Sequence, residues 1–207
     1  MRFLHLADLH IGKRVNGFSM IEDQKFVFEQ VYNVIESENI DGVIMAGDIY
    51  DKPVPSAEAV KLFDEMLTRL VSINLPIFVI SGNHDSAERI GFGSDILSAA
   101  KVYMSRVYNG NLQKIELEDD YGKINVYLLP FIKPATVKNI YKEAEIKDYD
   151  DALAYVLSQE KIDETKRNVI VSHQFVTGAM RSESEEVSVG GLDNVSAKNY
   201  DAFDYVA

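Results

Sequence analysis

Short hydrophobic runs alternate with helical repeats of hydrophobic residues through the first half of the chain. The apolar runs lie at 2–7, 42–46 and 77–80. Their length and character predict buried strands. Between them, residues 21–35 and 59–70 repeat apolar positions every three or four residues, which predicts two amphipathic helices, with Ser56 as the N-cap of the second. The first helix is predicted to bury Ile21, Phe28, Val31, Val34 and Ile35. This alternation of strands and helices with short connections predicts an α/β sheet.

The second half of the chain has a different order of elements. The predicted elements are a β-hairpin (112–117 and 124–129 around the polar turn 118–123), a helical region (135–159, broken near 147–150), a strand (168–171), a long polar loop (177–194) and the start of a last strand (203–207). We find no internal repeat and no low-complexity linker. The chain is therefore predicted to form one domain over 1–207.

Composition narrows the class of protein. The 207 residues are 46% hydrophobic and 26% charged, as in ordinary globular proteins. The absence of cysteine excludes a disulfide scaffold, a thiolate zinc site and a cysteine nucleophile. No apolar run approaches the roughly 20 residues of a membrane span, and the opening MRFLHLADLH lacks the apolar core of an export signal. We expect a cytoplasmic protein that does not enter a membrane.

The net charge of −12 argues against a protein that binds nucleic acid over its whole surface. It leaves open a local basic patch, and bound cations would neutralise part of the acidic charge.

Four polar motifs follow four of the predicted strands. They are Asp8-Leu9-His10, Gly47-Asp48-Ile49-Tyr50-Asp51, Gly82-Asn83-His84-Asp85 and Ser172-His173-Gln174. Ligand sites of α/β sheets gather at the carboxyl ends of strands, so strands lying side by side would bring these motifs to one edge. All four histidines of the chain lie in or beside the motifs.

The residue types in these motifs suit divalent ions such as Mn²⁺, Fe²⁺ or Zn²⁺. Because alternate residues of a strand point the same way, Asp8 and His10 are predicted to chelate one ion together. Asp48 follows a glycine that permits a tight turn and is predicted to bridge two ions, the second of which Asn83 and His173 would hold. Such a pair clamps a phosphate and activates a bridging water.

The motifs also provide a candidate general acid. His84 stands beside Asn83, with its ring available to protonate a leaving oxygen. Asp51 is predicted to orient that histidine.

Each motif alone has an ordinary structural explanation. A Gly-Asp pair at a strand end is usually a turn, Asn-His-Asp after glycine is compatible with a turn and a helix cap, and a single histidine such as His173 is commonly a buried core residue. The order of the motifs, each at a strand end, favours the metal site over these explanations.

The same residues carry a resemblance to the calcineurin-like metallophosphoesterase superfamily, whose blocks run DxH, GDxxD, GNHD/E, H and GHxH. Within it, the chain resembles the branch of SbcD-type DNA nucleases. The stretches that carry the closer match are FLHLADLHIGK, GDIYDKPVPS, GNHDSAERIGFGS, SHQFVTGA, VGGLDNV and FDYVA. They span the chain from Arg2 to Ala207.

The resemblance implies a layered α/β/β/α sandwich with mixed sheets and a metal site at the carboxyl ends of the strands. It implies a first ion on Asp8, His10 and Asp48, a second on Asp48, Asn83 and His173, and His84 paired with Asp51 as proton donor. Similar proteins use Mn²⁺, with Mg²⁺, Fe²⁺ and Zn²⁺ as alternatives here, and cleave DNA as exonuclease and endonuclease. They form homodimers and work with an SbcC-type ABC ATPase.

The family's last block, GHxH, does not occur in this sequence, which has no histidine after His173. We therefore expect a truncated nuclease core that also lacks the capping and ATPase-docking regions of its relatives. Four basic residues flank the metal motifs and are candidates for DNA phosphate contacts: Lys13, Arg14, Lys52 and Arg89. As ordinary surface charges they would have no such role.

Three functions fit these observations. The preferred one is a metal-dependent DNA phosphodiesterase in double-strand end processing, recombination and replication repair. The alternatives are a small-molecule phosphoesterase of the same fold and an inactive scaffold without its last metal-binding block.

Overall fold

The computed structural model describes residues 1–178 and 193–207. The chain forms two compact units, one of residues 1–107 with Ala207 and the other of residues 108–206. Each unit has its own core of buried hydrophobic side chains. No helix within 1–178 and 193–207 is long and apolar enough to cross a membrane.

The first unit is built on a four-stranded sheet, order β1-β4-β5-β6, in which every pair is parallel. Its elements are β1 (Phe3–Leu6), β2 (Arg14–Val15), β3 (Phe18–Ser19), α1 (Ile21–Ser37), β4 (Gly42–Ala46), α2 (Ala57–Ser72), β5 (Ile77–Ile80), α3 (Ala87–Ile90), α4 (Ser94–Leu97), a 3₁₀ turn (Ser98–Ala100) and β6 (Val102–Met104). Every residue of β4 and β5 is buried, which is why both read as continuous apolar runs. The parallel order places the carboxyl ends of β1, β4 and β5 at one edge of this sheet.

The two long helices are confirmed, with one correction to the buried face. Ser56 caps α2, since its Oγ accepts a hydrogen bond from the amide of Ala59 at 3.2 Å. In α1 the predicted core residue Val34 is exposed, and Tyr32 is buried instead. At 3.6 residues per turn, Val34 lies about 120° around the helix from Phe28, whereas Tyr32 lies one turn further along the same face.

The second unit is built on a mixed four-stranded sheet, order β12-β9-β8-β7. Its elements are β7 (Gln113–Asp119), β8 (Gly122–Leu129), α5 (Pro134–Ile140), α6 (Tyr149–Ser158), β9 (Arg167–Ser172), β10 (Phe175–Val176), β11 (Asn194–Val195), a 3₁₀ turn (Ala197–Tyr200) and β12 (Tyr205–Val206). The predicted hairpin is confirmed by the antiparallel pairing of β7 with β8, and the other pairs of this sheet are parallel. The α/β class is thereby confirmed, with one parallel four-stranded sheet and one mixed one.

Two predictions on the second unit are refined. The hairpin turn is narrower than 118–123, because the strands pair as far as Asp119 and Gly122. The helical region is two helices separated by residues 141–148, a wider break than the sequence predicts. Residues 179–192, which make up most of the loop predicted at 177–194 and part of the VGGLDNV segment, lie outside the described residues.

Candidate metal centre

The first loop of the site follows β1, which ends at Leu6. Asp8 and His10 both have left-handed backbones, with φ of 55° and 42°. Residues other than glycine rarely adopt this backbone conformation, although Asp and His are among those that tolerate it best. The two residues are not in a strand, so the alternation of strand side chains does not bring them together. The prediction that they converge for that reason is wrong. They nevertheless lie close, with His10 Nε2 3.7 Å from Asp8 Oδ1.

Main-chain hydrogen bonds join this loop to the loop after β4. The amide of Asp8 donates to the carbonyl of Gly47 at 3.2 Å, and the amide of His10 donates to the carbonyl of Asp48 at 2.9 Å. Gly47 and Asp48 are themselves left-handed, with φ of 89° and 50°. The unusual backbones of the two loops are thus held by each other's polar groups.

Asp48 stands at the centre of the site and is only 2% exposed. Its Oδ1 accepts a hydrogen bond from the main-chain amide of His84 at 2.9 Å, which leaves Oδ2 directed toward the imidazole rings. Gly82 lies against Asp48 so closely that a Cβ there would come within 2.1 Å of Oδ1. Glycine is the one residue that allows the loop after β5 to approach Asp48 in this way.

A second carboxylate, that of half-buried Asp85, ties the loops after β4 and β5 together. It accepts hydrogen bonds from the main-chain amides of Ile49, Tyr50 and Gly82, each at 2.9 Å. Burial raises the pKa of Asp85, the three amide hydrogen bonds oppose that rise, and the charge of Asp48 adds to it. The sequence contained this residue in the GNHD motif but gave no indication of its role as an anchor.

The arrangement gathers metal-binding side chains from three loops. One donor atom from each of His10, Asp48 and His84 lies within 4.8 Å of the other two. Asp48 Oδ2 is 3.7 Å from His10 Nε2 and 4.0 Å from His84 Nε2. Ligands at the usual 2.0–2.2 Å from a cation stand roughly 3–4 Å from one another, so Asp8 Oδ1 and Asp48 Oδ2, each 3.7 Å from His10 Nε2, fit a divalent ion. Imidazole and carboxylate ligands suit borderline ions such as Zn²⁺, Fe²⁺ and Mn²⁺.

Asp51 contacts both histidine rings through different groups. Its main-chain carbonyl is 3.3 Å from His84 Nδ1. Its carboxylate lies 4.0 Å from His10 Nδ1, a buried nitrogen with no hydrogen-bond partner among the described residues. The imidazole rings of His10 and His84 pack edge to face, with their centroids 4.9 Å apart. Asp51 thus meets His84 through its main-chain carbonyl, and its role in orienting that histidine stays a prediction.

Asn83 is half-buried in the loop after β5. His173, also half-buried, belongs to the other unit, directly after β9. The assignment of both to a second ion stays a prediction.

The four candidate phosphate contacts differ in exposure. Lys13 is half-buried, whereas Arg14, Lys52 and Arg89 are exposed. Arg14 donates a hydrogen bond to the carbonyl of Gly17 within the β2–β3 hairpin. Their contact with DNA stays a prediction.

Sequence reasoning missed Gln24, which supports the first loop from α1. Its side chain accepts a hydrogen bond from the amide of Gly12 and donates to the carbonyls of Leu9 and His10. The sequence did contain a signal for this role. Position 24 falls three residues after Ile21, on the apolar face of the helix, and a polar residue is unusual there.

Comparisons with known proteins identify the family. The calcineurin-like phosphoesterase family matches the chain over residues 1–207. The chain belongs to that family. It is also 34% identical over 210 residues to the SbcD component of the nuclease SbcCD from Staphylococcus epidermidis, and 31% identical over 210 residues to the same component from Staphylococcus saprophyticus. Both alignments cover 100% of this chain and 55% of the relative, so the chain spans about half the length of these curated relatives. The predicted resemblance is confirmed.

Proposed function

We propose that this chain is the catalytic core of a divalent-metal phosphodiesterase that cleaves DNA. The observation that carries the proposal is the convergence of Asp8, His10 and Asp48 from the loops after β1 and β4, with His10 Nε2 3.7 Å from a carboxylate oxygen of each aspartate. Membership of the phosphoesterase family and the names of the two nuclease relatives support it. In this proposal, residues 1–207 act as one catalytic core.

The proposed ligands divide between two ions that share Asp48. We assign one ion to Asp8, His10 and Asp48, and the other to Asp48, Asn83 and His173. Mn²⁺ is the expected metal, with Mg²⁺, Fe²⁺ and Zn²⁺ as alternatives. When bound, such ions would neutralise charge on a phosphate and lower the pKa of a bound water. The chain's own contribution is to fix the donors, since the His84 amide holds Asp48 Oδ1 and turns Oδ2 toward the rings.

His84 is the proposed general acid. Its Nδ1 lies 3.3 Å from the Asp51 carbonyl, which only accepts hydrogen bonds, so Nδ1 carries a hydrogen in both the neutral and the charged ring. Nε2 is therefore the nitrogen proposed to deliver a proton to the leaving oxygen. Protonation of the leaving oxygen by such a group contributes typically ~10²–10⁴-fold to the rate.

The relatives suggest the wider setting. Because they are named as components of the nuclease SbcCD, we propose DNA as substrate and an SbcC-type ABC ATPase as partner. Homodimer formation, a cytoplasmic location and a role in DNA repair, recombination and replication belong to the same proposal. Lys13, Arg14, Lys52 and Arg89 would contact DNA phosphates beside the metal site.

The proposal is tested by hydrolysis of linear duplex DNA and of bis(p-nitrophenyl) phosphate, each with added Mn²⁺ and with EDTA. We expect Mn²⁺-dependent cleavage of DNA that His84→Asn lowers by about 10²-fold or more. The matched control is His5→Asn, which changes a histidine of β1 outside the site and should retain activity.

The outcomes separate the three candidate functions. Turnover of the small ester that far exceeds cleavage of DNA would favour a small-molecule phosphoesterase. A chain that binds no Mn²⁺ and hydrolyses neither substrate would be a scaffold. Equal activity of His84→Asn and the unmodified chain would contradict the assigned general acid.

A further inference from the structure

Gln24 connects helix α1 to the loop that carries Asp8 and His10. The Gln24 amide nitrogen donates to the carbonyl of Leu9 at 3.1 Å and to the carbonyl of His10 at 2.9 Å. Its oxygen accepts a hydrogen bond from the amide of Gly12 at 3.0 Å. Both hydrogens of the amide nitrogen are therefore used, and the side chain bonds to three main-chain groups within four consecutive residues.

These bonds meet a need that the loop satisfies only in part: the amide of Lys13 donates to the His10 carbonyl at 3.0 Å, whereas the Leu9 carbonyl and the Gly12 amide bond to Gln24. Left-handed backbones at Asp8, His10 and Gly12 interrupt the strand conformation, so the carbonyls between them fall outside the regular register of a strand. A half-buried polar group without a partner costs free energy, and a loop with such groups would sample other conformations. Gln24 lies in the first turns of a 17-residue helix, which gives the bonds a rigid base.

The bond to the His10 carbonyl acts on a residue that is held from the other side as well. The amide of His10 is bound to the Asp48 carbonyl at 2.9 Å. The peptide groups on both sides of the His10 Cα are thus fixed, each by the β4 loop through its amide and by Gln24 through its carbonyl. With both fixed, the direction of the Cα–Cβ bond is fixed too, and with it the position from which the imidazole reaches toward Asp48.

We propose that Gln24 is a positioning residue for the metal site, which orders the loop so that the Asp8 and His10 side chains converge before an ion binds. The inference rests on the proposed function, because it assigns to His10 the role of a metal ligand. Partners that orient ligands in this way typically change metal affinity by ~10–100-fold when they are removed.

The experiment measures Mn²⁺ binding by isothermal titration calorimetry for the unmodified chain, Gln24→Met and the control Gln30→Met. Methionine matches glutamine in length and helix propensity but offers none of the three hydrogen bonds. Gln30 is an exposed residue of the same helix, so its variant carries the same change without the loop contacts. We expect affinity about 10-fold or more weaker for Gln24→Met and unchanged for Gln30→Met.

A second variant, Gln24→Glu, keeps the acceptor for Gly12 and loses both donors. The added negative charge would by itself raise the affinity for Mn²⁺. Weaker Mn²⁺ binding by Gln24→Glu would therefore show that the loop has lost its positioning. Circular dichroism and melting temperatures are recorded without metal, and Gln24→Glu decides the test if Gln24→Met does not fold.

Three results are decisive. Weaker Mn²⁺ binding in folded Gln24 variants supports the proposal. Lowered melting temperature with affinity within about two-fold of the unmodified chain would overturn it, because Gln24 would then only stabilise the fold. No Mn²⁺ binding by the unmodified chain would overturn the proposed function instead, and this inference with it.

Discussion

Replacing Gly82 by alanine tests whether the close approach of two loops is what places Asp48. An alanine Cβ would lie 2.1 Å from Asp48 Oδ1 and 2.3 Å from the Asp48 amide nitrogen. Ordinary contacts begin near 3.4 Å, so one loop must move by about 1 Å. The amide nitrogen is main chain and cannot rotate away as a flexible side chain would. We therefore expect the displacement to reach the carboxylate that the proposed ions share.

A displacement of about 1 Å at such a site costs about 10²-fold in activity, and overpacking of this kind typically costs about 1–3 kcal/mol of stability. We expect Gly82→Ala to lower both Mn²⁺ affinity and hydrolysis of bis(p-nitrophenyl) phosphate, the latter by about 100-fold. Binding is measured by calorimetry, hydrolysis by absorbance and stability by urea unfolding.

The matched control is Gly93→Ala, where a Cβ would meet no atom of the described residues within 4 Å and the backbone has φ of 73°. That variant should lose about 1–2 kcal/mol through its left-handed backbone and keep its metal affinity. If Gly82→Ala bound Mn²⁺ and turned over substrate like the unmodified chain, the account of how Asp48 is placed would be refuted.

Two further predictions concern stability. Ser56→Ala removes the N-cap of α2 and should lower the free energy of unfolding by about 1 kcal/mol in urea titrations, whereas an unchanged midpoint would mean that the cap contributes nothing. Hydrogen bonds from Lys123 and then Lys166 lower the pKa of Glu116 to about 2. Because that pKa lies below the unfolded value, the stability it contributes is lost as pH falls through the range from about 5 to about 2. Glu116→Gln should therefore lose less stability than the unmodified chain between pH 6 and pH 3, and the exposed control Glu118→Gln should behave like the unmodified chain; equal losses in all three would contradict the prediction.

The sheet of the first unit was predictable because its central strands are fully buried and therefore consist of hydrophobic residues. The strands Gly42–Ala46 and Ile77–Ile80 have the predicted bounds, since each is a continuous apolar run closed by a residue that favours a turn. The short β2–β3 hairpin was missed, because its exposed residues bear no periodic pattern. A strand that is exposed on both faces has no alternation of hydrophobic and polar residues, so hydrophobic periodicity cannot predict it.

The candidate site was predictable in its residue types but not in its geometry. Polar motifs at strand ends identified His10, Asp48 and His84, and the structure brings these side chains together. The left-handed backbone of His10 depends on a hydrogen bond to Asp48, which is remote in the sequence, and no local pattern encodes it. For the same reason the contact of the Asp51 carbonyl with His84 could not be read from spacing.

Asp48 is proposed as a ligand shared by two ions, and binding stoichiometry tests this role most directly. Equilibrium dialysis measures Mn²⁺ bound per chain, and electron paramagnetic resonance shows whether the bound ions are magnetically coupled. We predict two coupled ions in the unmodified chain, loss of both in Asp48→Asn, and no change in Asp64→Asn, an exposed aspartate of α2. Unaltered Mn²⁺ binding by Asp48→Asn would contradict the central claim.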